Sequence, residues 1–237
     1  MAVEKDLEFC LEVASEVYKE NPVVPNVNFH THLEGPVSGA DVFVGIHEAE
    51  QFLIAFRGTD DIKATITDLR FGKKRIPYEN EKSKIRVHTG FIDAYKEIRE
   101  DIHDLYKKNP KNTVLITGHS LGGALATLCA VDMQYNFQNE ETTNMITTLQ
   151  CITFGSPRVG NGAFTNSYNR RVPRTFRVVN GDDIITRLPY WFMGFRHVNQ
   201  KIQLGKRHWW RFLFGKWGKD HHQDEYRKGL TNYLKKN

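Results

Sequence analysis

Cysteine is scarce in this chain. Cys10, Cys129 and Cys151 are the only three in 237 residues, an odd and scattered set flanked by apolar residues. Such a set argues against a disulfide framework or a cysteine metal site, so reduced, buried thiols are expected. No apolar run is long enough to span a bilayer. There is no internal repeat, no low-complexity segment and no dividing linker, and a single domain over 1–237 is the reading. The opening stretch MAVEKDLEFCLEVASEVYKE carries acids where a signal peptide has a basic start and an apolar middle. Export is left open, since the chain is either intracellular or the mature form of a secreted protein, and oligomeric state is equally open. A strong charge of one sign is also missing: 33 Lys and Arg face 28 Asp and Glu, a net charge of +5. That excess favours an anionic surface but is too mild to name a partner.

What is present alternates helix and strand. Leu7, Cys10, Leu11, Ala14, Val17 and Tyr18 recur at helical spacing, giving an amphipathic helix over 4–20. A loop rich in Pro and Asn is expected from Asn21 to about Gly39. Asp41–His47 and Gln51–Arg57, split by Glu48-Ala49-Glu50, read as neighbouring antiparallel strands. Ile85-Arg86-Val87 is a short strand, and Phe91, Ala94, Tyr95, Ile98, Ile102 and Leu105 mark a second helix. Asn112–Gly118 (NTVLITG) is an apolar strand that turns at once into HSLGGALATLCAVDMQ, with Ala and Leu on every side. A strand feeding a buried helix is the βα unit of a parallel sheet, so the fold class is α/β. Leu149–Phe154 and Thr175–Val179 are two further strands, with helices at Gly162–Arg170 and Gln223–Lys235.

Gly118-His119-Ser120-Leu121-Gly122 fits G-x-S-x-G and sits between that strand and that helix. A serine at the tip of such a turn projects its hydroxyl from the sheet, and the flanking glycines let strand and helix approach. The helix N-terminus lends partial positive charge where an oxyanion would form. A Gly-rich packing turn is the bland alternative. A P-loop is a poor one, because Ala124 stands where its lysine is required. A serine hydroxyl needs a base, and the base needs an acid. Downstream, Asp182 and Asp183 end a strand, and His197, His208, His221 and His222 follow. Position alone leaves both acids and all four histidines open.

The motifs together resemble the class 3 (fungal-type) lipase family of the α/β-hydrolase superfamily. They run in the family's order over about 40–230: Phe56-Arg57-Gly58-Thr59, His88-Thr89-Gly90-Phe91, Thr117–Gly123 (TGHSLGG), Thr153–Asn161 (TFGSPRVGN), Asp183–Pro189 and Asp220–Tyr226. Thr186 departs from the pattern, which has proline there. The resemblance implies an α/β-hydrolase fold, a mostly parallel sheet flanked by helices, with a short lid after the oxyanion strand. It implies carboxylic ester hydrolysis of the triacylglycerol lipase type through an acyl-serine, with neither cofactor nor metal. Residue by residue it implies Ser120 as nucleophile, Asp183 as acid, His221 as base, and an oxyanion hole at the N–H groups of Leu121 and Thr59. Asp182 is then expected to be a solvated or capping acid, His222 to face solvent and His197 to be structural. A metal cluster of Asp220, His221, His222 and Asp224 is the weaker reading of those residues.

The lid would be Asp60–Leu69, whose apolar residues Ile62, Ile66 and Leu69 are few and modest in size. Strong interfacial activation is therefore not expected, and soluble or feruloyl-type esters, or acyl transfer, are alternatives to acylglycerols. A catalytically silent binding module is a further one. Tyr190–Met193 and Lys206–Trp217 mix aromatic and basic residues. That composition suits peripheral contact with a lipid surface and equally suits an acyl pocket. Nucleic acid is not an expected partner, since no recognised motif supports it.

Overall fold

The computed structural model describes residues 2–48, 50–59, 73–75, 83–138, 146–198, 200–206 and 216–236. In chain order the elements are α1 (Ala2–Glu16), β1 (Val27–Glu34), β2 (Asp41–His47), β3 (Gln51–Phe56), β4 (Lys73–Arg75), β5 (Arg86–His88) and α2 (Thr89–Lys108). Then come β6 (Thr113–His119), α3 (Leu121–Phe137), β7 (Thr148–Phe154), β8 (Gly160–Asn161), α4 (Gly162–Arg171) and β9 (Thr175–Asn180). The chain ends with β10 (Phe195–Arg196), β11 (Lys201–Leu204) and α5 (Gln223–Leu234).

The main sheet has seven strands in the order β1-β2-β3-β6-β7-β9-β11. From β3 to β11 every pairing is parallel, and β1 and β2 add an antiparallel edge. Both faces are covered, which is why the central strands are apolar at successive positions. Phe52, Ile54 and Phe56 of β3 pack with Val114, Ile116 and the helices α2, α3 and α4 on one face. Leu53 and Ala55 pack with Leu115, Ile152, α1 and α5 on the other. Each fully buried large apolar side chain contributes about 1.5–3 kcal/mol. Asp132 ties α2 to α3, accepting from Tyr95 Oη at 2.8 Å, Arg99 Nε at 2.9 Å and His103 Nε2 at 2.6 Å. This is the α/β-hydrolase architecture, and among the described residues no helix is long and apolar enough to cross a membrane. All three cysteines are free and buried.

The expected loop from Asn21 to Gly39 is corrected: it contains β1. The strand has no apolar run because its side chains alternate only between half-buried and exposed, and backbone pairing to β2 holds it. The first helix stops at Glu16, short of the expected residue 20. The proposed lid, Asp60–Leu69, lies outside the described residues.

Candidate active site

The site stands at the C-terminal ends of the parallel strands, the usual place for function in such a sheet. Ser120 falls between β6 and α3 with φ 58° and ψ −127°, a backbone conformation that costs a non-glycine residue about 1–3 kcal/mol. Two backbone bonds hold it there: its N–H donates to Phe154 O at 2.9 Å, and Gly123 N–H donates to its carbonyl at 3.0 Å. Close approach makes the elbow possible, for a Cβ on Gly122 would overlap the carbonyl oxygen of Phe56 on β3.

Three of the expected residues meet through hydrogen bonds. Ser120 Oγ lies 2.8 Å from His221 Nε2, and His221 Nδ1 lies 2.8 Å from Asp183 Oδ2. All three side chains are about 1% exposed. With a carboxylate at Nδ1, the imidazole carries its proton there, leaving Nε2 to accept from the serine. Asp183 is fixed on every side: Oδ2 also accepts from Tyr226 Oη at 2.7 Å, and Oδ1 accepts from Ile185 N–H at 2.9 Å. Burial and the Asp183 carboxylate push the Tyr226 phenol well above its ordinary range, so it remains a donor. Gly155, at φ 62°, passes beneath the pair; a Cβ there would come within 2.9 Å of both Asp183 Oδ2 and His221 Cε1.

The remaining expectations resolve individually. Thr59 shares a cavity of about 260 Å³ with His221, Tyr18 and His119, while Leu121 is the first residue of α3. His222 is exposed, and its carbonyl opens α5 by accepting from Glu225 and Tyr226. His197 donates from Nε2 to Thr186 O at 2.6 Å, bracing the turn that follows Asp183. Asp182 is a correction: it is 2% exposed rather than solvated, because Arg187 Nη2 pairs with it at 2.9 Å. Asp220 anchors the same loop, accepting from Asp182 N–H at 3.0 Å. His208 lies outside the described residues.

Sequence reasoning assigned no role to His119, Tyr18 or Tyr226. His119 Nε2 donates to the carbonyl of His221 at 2.8 Å and its Nδ1 accepts from Tyr18 Oη at 2.9 Å. Position x of the G-x-S-x-G motif was the available signal, since it must face the same loop cluster as the serine. Burial first, then His221, holds the His119 pKa well below the ordinary histidine value. His197 is held low in the same direction by burial and by Arg177. The unfolded chain takes up these protons near pH 6.5 and the native state does not. Stability is therefore complete above about pH 6.5 and falls as pH drops below it, by up to about 1.4 kcal/mol per pH unit for each group. Thermal unfolding from pH 7.5 to 5.5 should show that decline. His119→Gln, which keeps a donor for the His221 carbonyl, should remove about one proton's share of the slope. An unchanged slope would mean His119 is not held neutral.

A family model described as Lipase (class 3) matches residues 53–193, more than half of the sequence. The chain belongs to the class 3 lipase family. A lipase of Rhizomucor miehei is 38% identical to it over 152 residues, which are 62% of this chain and 40% of that protein. A secreted mono- and diacylglycerol lipase of Fusarium solani is 31% identical over 175 residues, 72% of this chain and 49% of that one. This class 3 lipase-family chain thus spans less than half the length of either curated relative. The solved structure of Rhizomucor miehei triacylglyceride lipase superposes with a TM-score of 0.73 at 28% identity, over 86% of this chain and 80% of that one. A structure of a triacylglycerol lipase whose catalytic centre is described as a serine protease triad superposes at 0.72 with 29% identity, covering 84% and 79%.

Proposed function

We propose that this chain is a serine carboxylic ester hydrolase of the triacylglycerol lipase type, with acylglycerols as its first substrates. The observation that carries the reading is the unbroken chain of bonds from Ser120 Oγ through His221 to Asp183. Ser120 Oγ attacks the ester carbonyl carbon while its proton passes to His221 Nε2. The carbonyl π electrons move to oxygen, and that oxyanion is held by the N–H groups of Leu121 and Thr59. Collapse breaks the bond to the alcohol, which leaves with the proton from His221. Water then attacks the acyl-serine in the mirror sequence, releasing the carboxylic acid and restoring Ser120. The names of the similar proteins, a triacylglyceride lipase of Rhizomucor miehei and a mono- and diacylglycerol lipase of Fusarium solani, support the substrate class.

Contact with a lipid surface has its own support. Trp191 is 63% exposed and Phe192 69%, beside a half-exposed Tyr190. The Arg196 guanidinium lies over the Trp191 ring at 6.0 Å. Aromatics displayed next to a cation suit a water–lipid boundary better than an acyl pocket. The rest of the aromatic and basic stretch, residues 207–215, lies outside the described residues.

A fluorophosphonate probe tests the core of the reading. It should label the chain at one equivalent on Ser120, and Ser120→Ala should remove both the label and the hydrolysis of tributyrin. Absence of labelling, or labelling that persists in Ser120→Ala, overturns it.

A further inference from the structure

A second cavity lies on the far side of Asp183, and its walls are unusual in charge. It is about 160 Å³ in volume, lined by Arg158, Arg177, Arg187 and Lys201 together with Asp183, Thr186, His197 and Gln203. Four basic side chains therefore face a single carboxylate, and that carboxylate is committed to His221, Tyr226 and the Ile185 N–H. The outer acid, Asp182, is taken by Arg187.

The sequence forces the cations together. Arg177 is the third residue of β9 and stands in direct parallel register with Lys201 of β11. Like charges side by side on a sheet repel. Arg158 joins them from the turn after β7, its Nη1 spent on the carbonyls of Arg187 and Pro189. Arg177 is the decisive residue. It is 7% exposed, and among the described residues only Nε of its five N–H donors is used, on Val198 O at 2.8 Å. Burial and then Arg158 pull its pKa down to about 10, so it is still a cation at neutral pH. Arg158 is lowered in the same direction by burial and by Arg196 and Arg187. Among the described residues no carboxylate pairs with it, and a buried guanidinium left so is costly unless something else supplies the negative charge. His197 cannot, since an imidazole is neutral or cationic; burial first, then Arg177 and Arg158, keeps it neutral.

We propose that this cavity is a binding site for a small oxyanion of the phosphate type. The two guanidinium forks of Arg158 and Arg177 suit the paired oxygens of a phosphate, and Lys201, whose Nζ donates to Gln203 Oε1 at 3.0 Å, adds a further positive charge at the mouth. The volume is far above what one water needs and leaves room for a tetrahedral anion. The site is separate from the Ser120 cavity, and its existence does not depend on the ester-hydrolase reading.

Titration calorimetry of the full chain at fixed ionic strength tests it, with inorganic phosphate and glycerol phosphate in parallel. Saturable binding of either supports the proposal. Tighter binding of glycerol phosphate marks a phospholipid headgroup as the source, and tighter inorganic phosphate a free anion. In thermal unfolding, 10 mM of a ligand with a Kd of about 1 mM should raise Tm by about 3 °C over chloride of equal ionic strength. Lys201→Glu places a carboxylate in register with Arg177. It should raise Tm in chloride and weaken phosphate binding by about tenfold or more. Lys201 is exposed, so this variant keeps the test alive where Arg177→Met does not fold. The proposal fails if neither anion binds saturably, if chloride gives the same gain in Tm, or if Lys201→Glu binds phosphate as tightly as the parent.

Discussion

Replacing His221 with alanine is expected to lower ester hydrolysis by about 10⁴-fold or more, while His222→Ala leaves it within about twofold. The two residues are consecutive, so chain position and composition predict nothing about the difference. Their surroundings predict all of it. His221 is buried, with one ring nitrogen on Ser120 and the other on Asp183. His222 is exposed at the edge of the same cavity, and its backbone bonds to Lys219, Glu225 and Tyr226 at the start of α5 are ones alanine retains. Without the imidazole the serine proton has no acceptor, and catalysis from the oxyanion donors and substrate binding is all that is left. Initial rates with a p-nitrophenyl ester, on variants whose unfolding transitions match the parent, decide the matter. Loss of turnover in His222→Ala with retention in His221→Ala would reverse the assignment.

The elements that lay deepest were the easiest to read from the sequence. NTVLITG followed by HSLGGALATLCA has no polar face, and only a strand and helix buried on all sides tolerate that; they became β6 and α3. The opposite case is β1, whose sequence VNFHTHLE carries little apolar signal because an edge strand is held by its backbone. β11 was equally hidden: four residues, KIQL, are too short to show a period, yet they complete the sheet beside β9. The site divides in the same way. The serine was legible from its local turn, since strand, glycines and helix are contiguous. The choice among two acids and four histidines was not, and only the resemblance to a family made it. The deciding contacts join residues 38 and 101 positions apart, which no local pattern encodes. Asp182 shows the limit of the resemblance: expected as a solvated or capping acid, it is buried because Arg187 closes over it.

Asp183→Asn should lower kcat/KM by about 10⁴-fold while the fold survives, and Asp182→Asn should do the reverse, sparing the rate within about fivefold and lowering stability. The first expectation follows from counting donors. Three N–H or O–H groups point at the Asp183 carboxylate, from His221 and Tyr226 on Oδ2 and from Ile185 on Oδ1. An asparagine has one oxygen and one NH₂. If the NH₂ takes the Oδ2 position it faces the donors of His221 and Tyr226, and the imidazole moves its proton to Nε2 to relieve the clash. Nε2 then cannot accept from Ser120. If the NH₂ takes the Oδ1 position it faces the Ile185 N–H, and the neutral amide still stabilises an imidazolium far less than a carboxylate does. The first outcome, a wrong tautomer in an intact geometry, has a measured counterpart in another serine triad of about 10⁴ in kcat. The Asp182 side chain is directed to Arg187 Nη2, at 2.9 Å. Its buried carboxylate answers Arg187, one of the four cations around the second cavity. Neutralising it adds to a local positive excess, and with Arg187 about a quarter exposed the loss should be about 1–2 kcal/mol, or about 2–8 °C in Tm. Paired measurements of kcat/KM and thermal unfolding on both variants separate the roles. An Asp183→Asn enzyme keeping a tenth of its rate, or an Asp182→Asn enzyme that is stable and inactive, would show that the acid serving His221 has been misassigned.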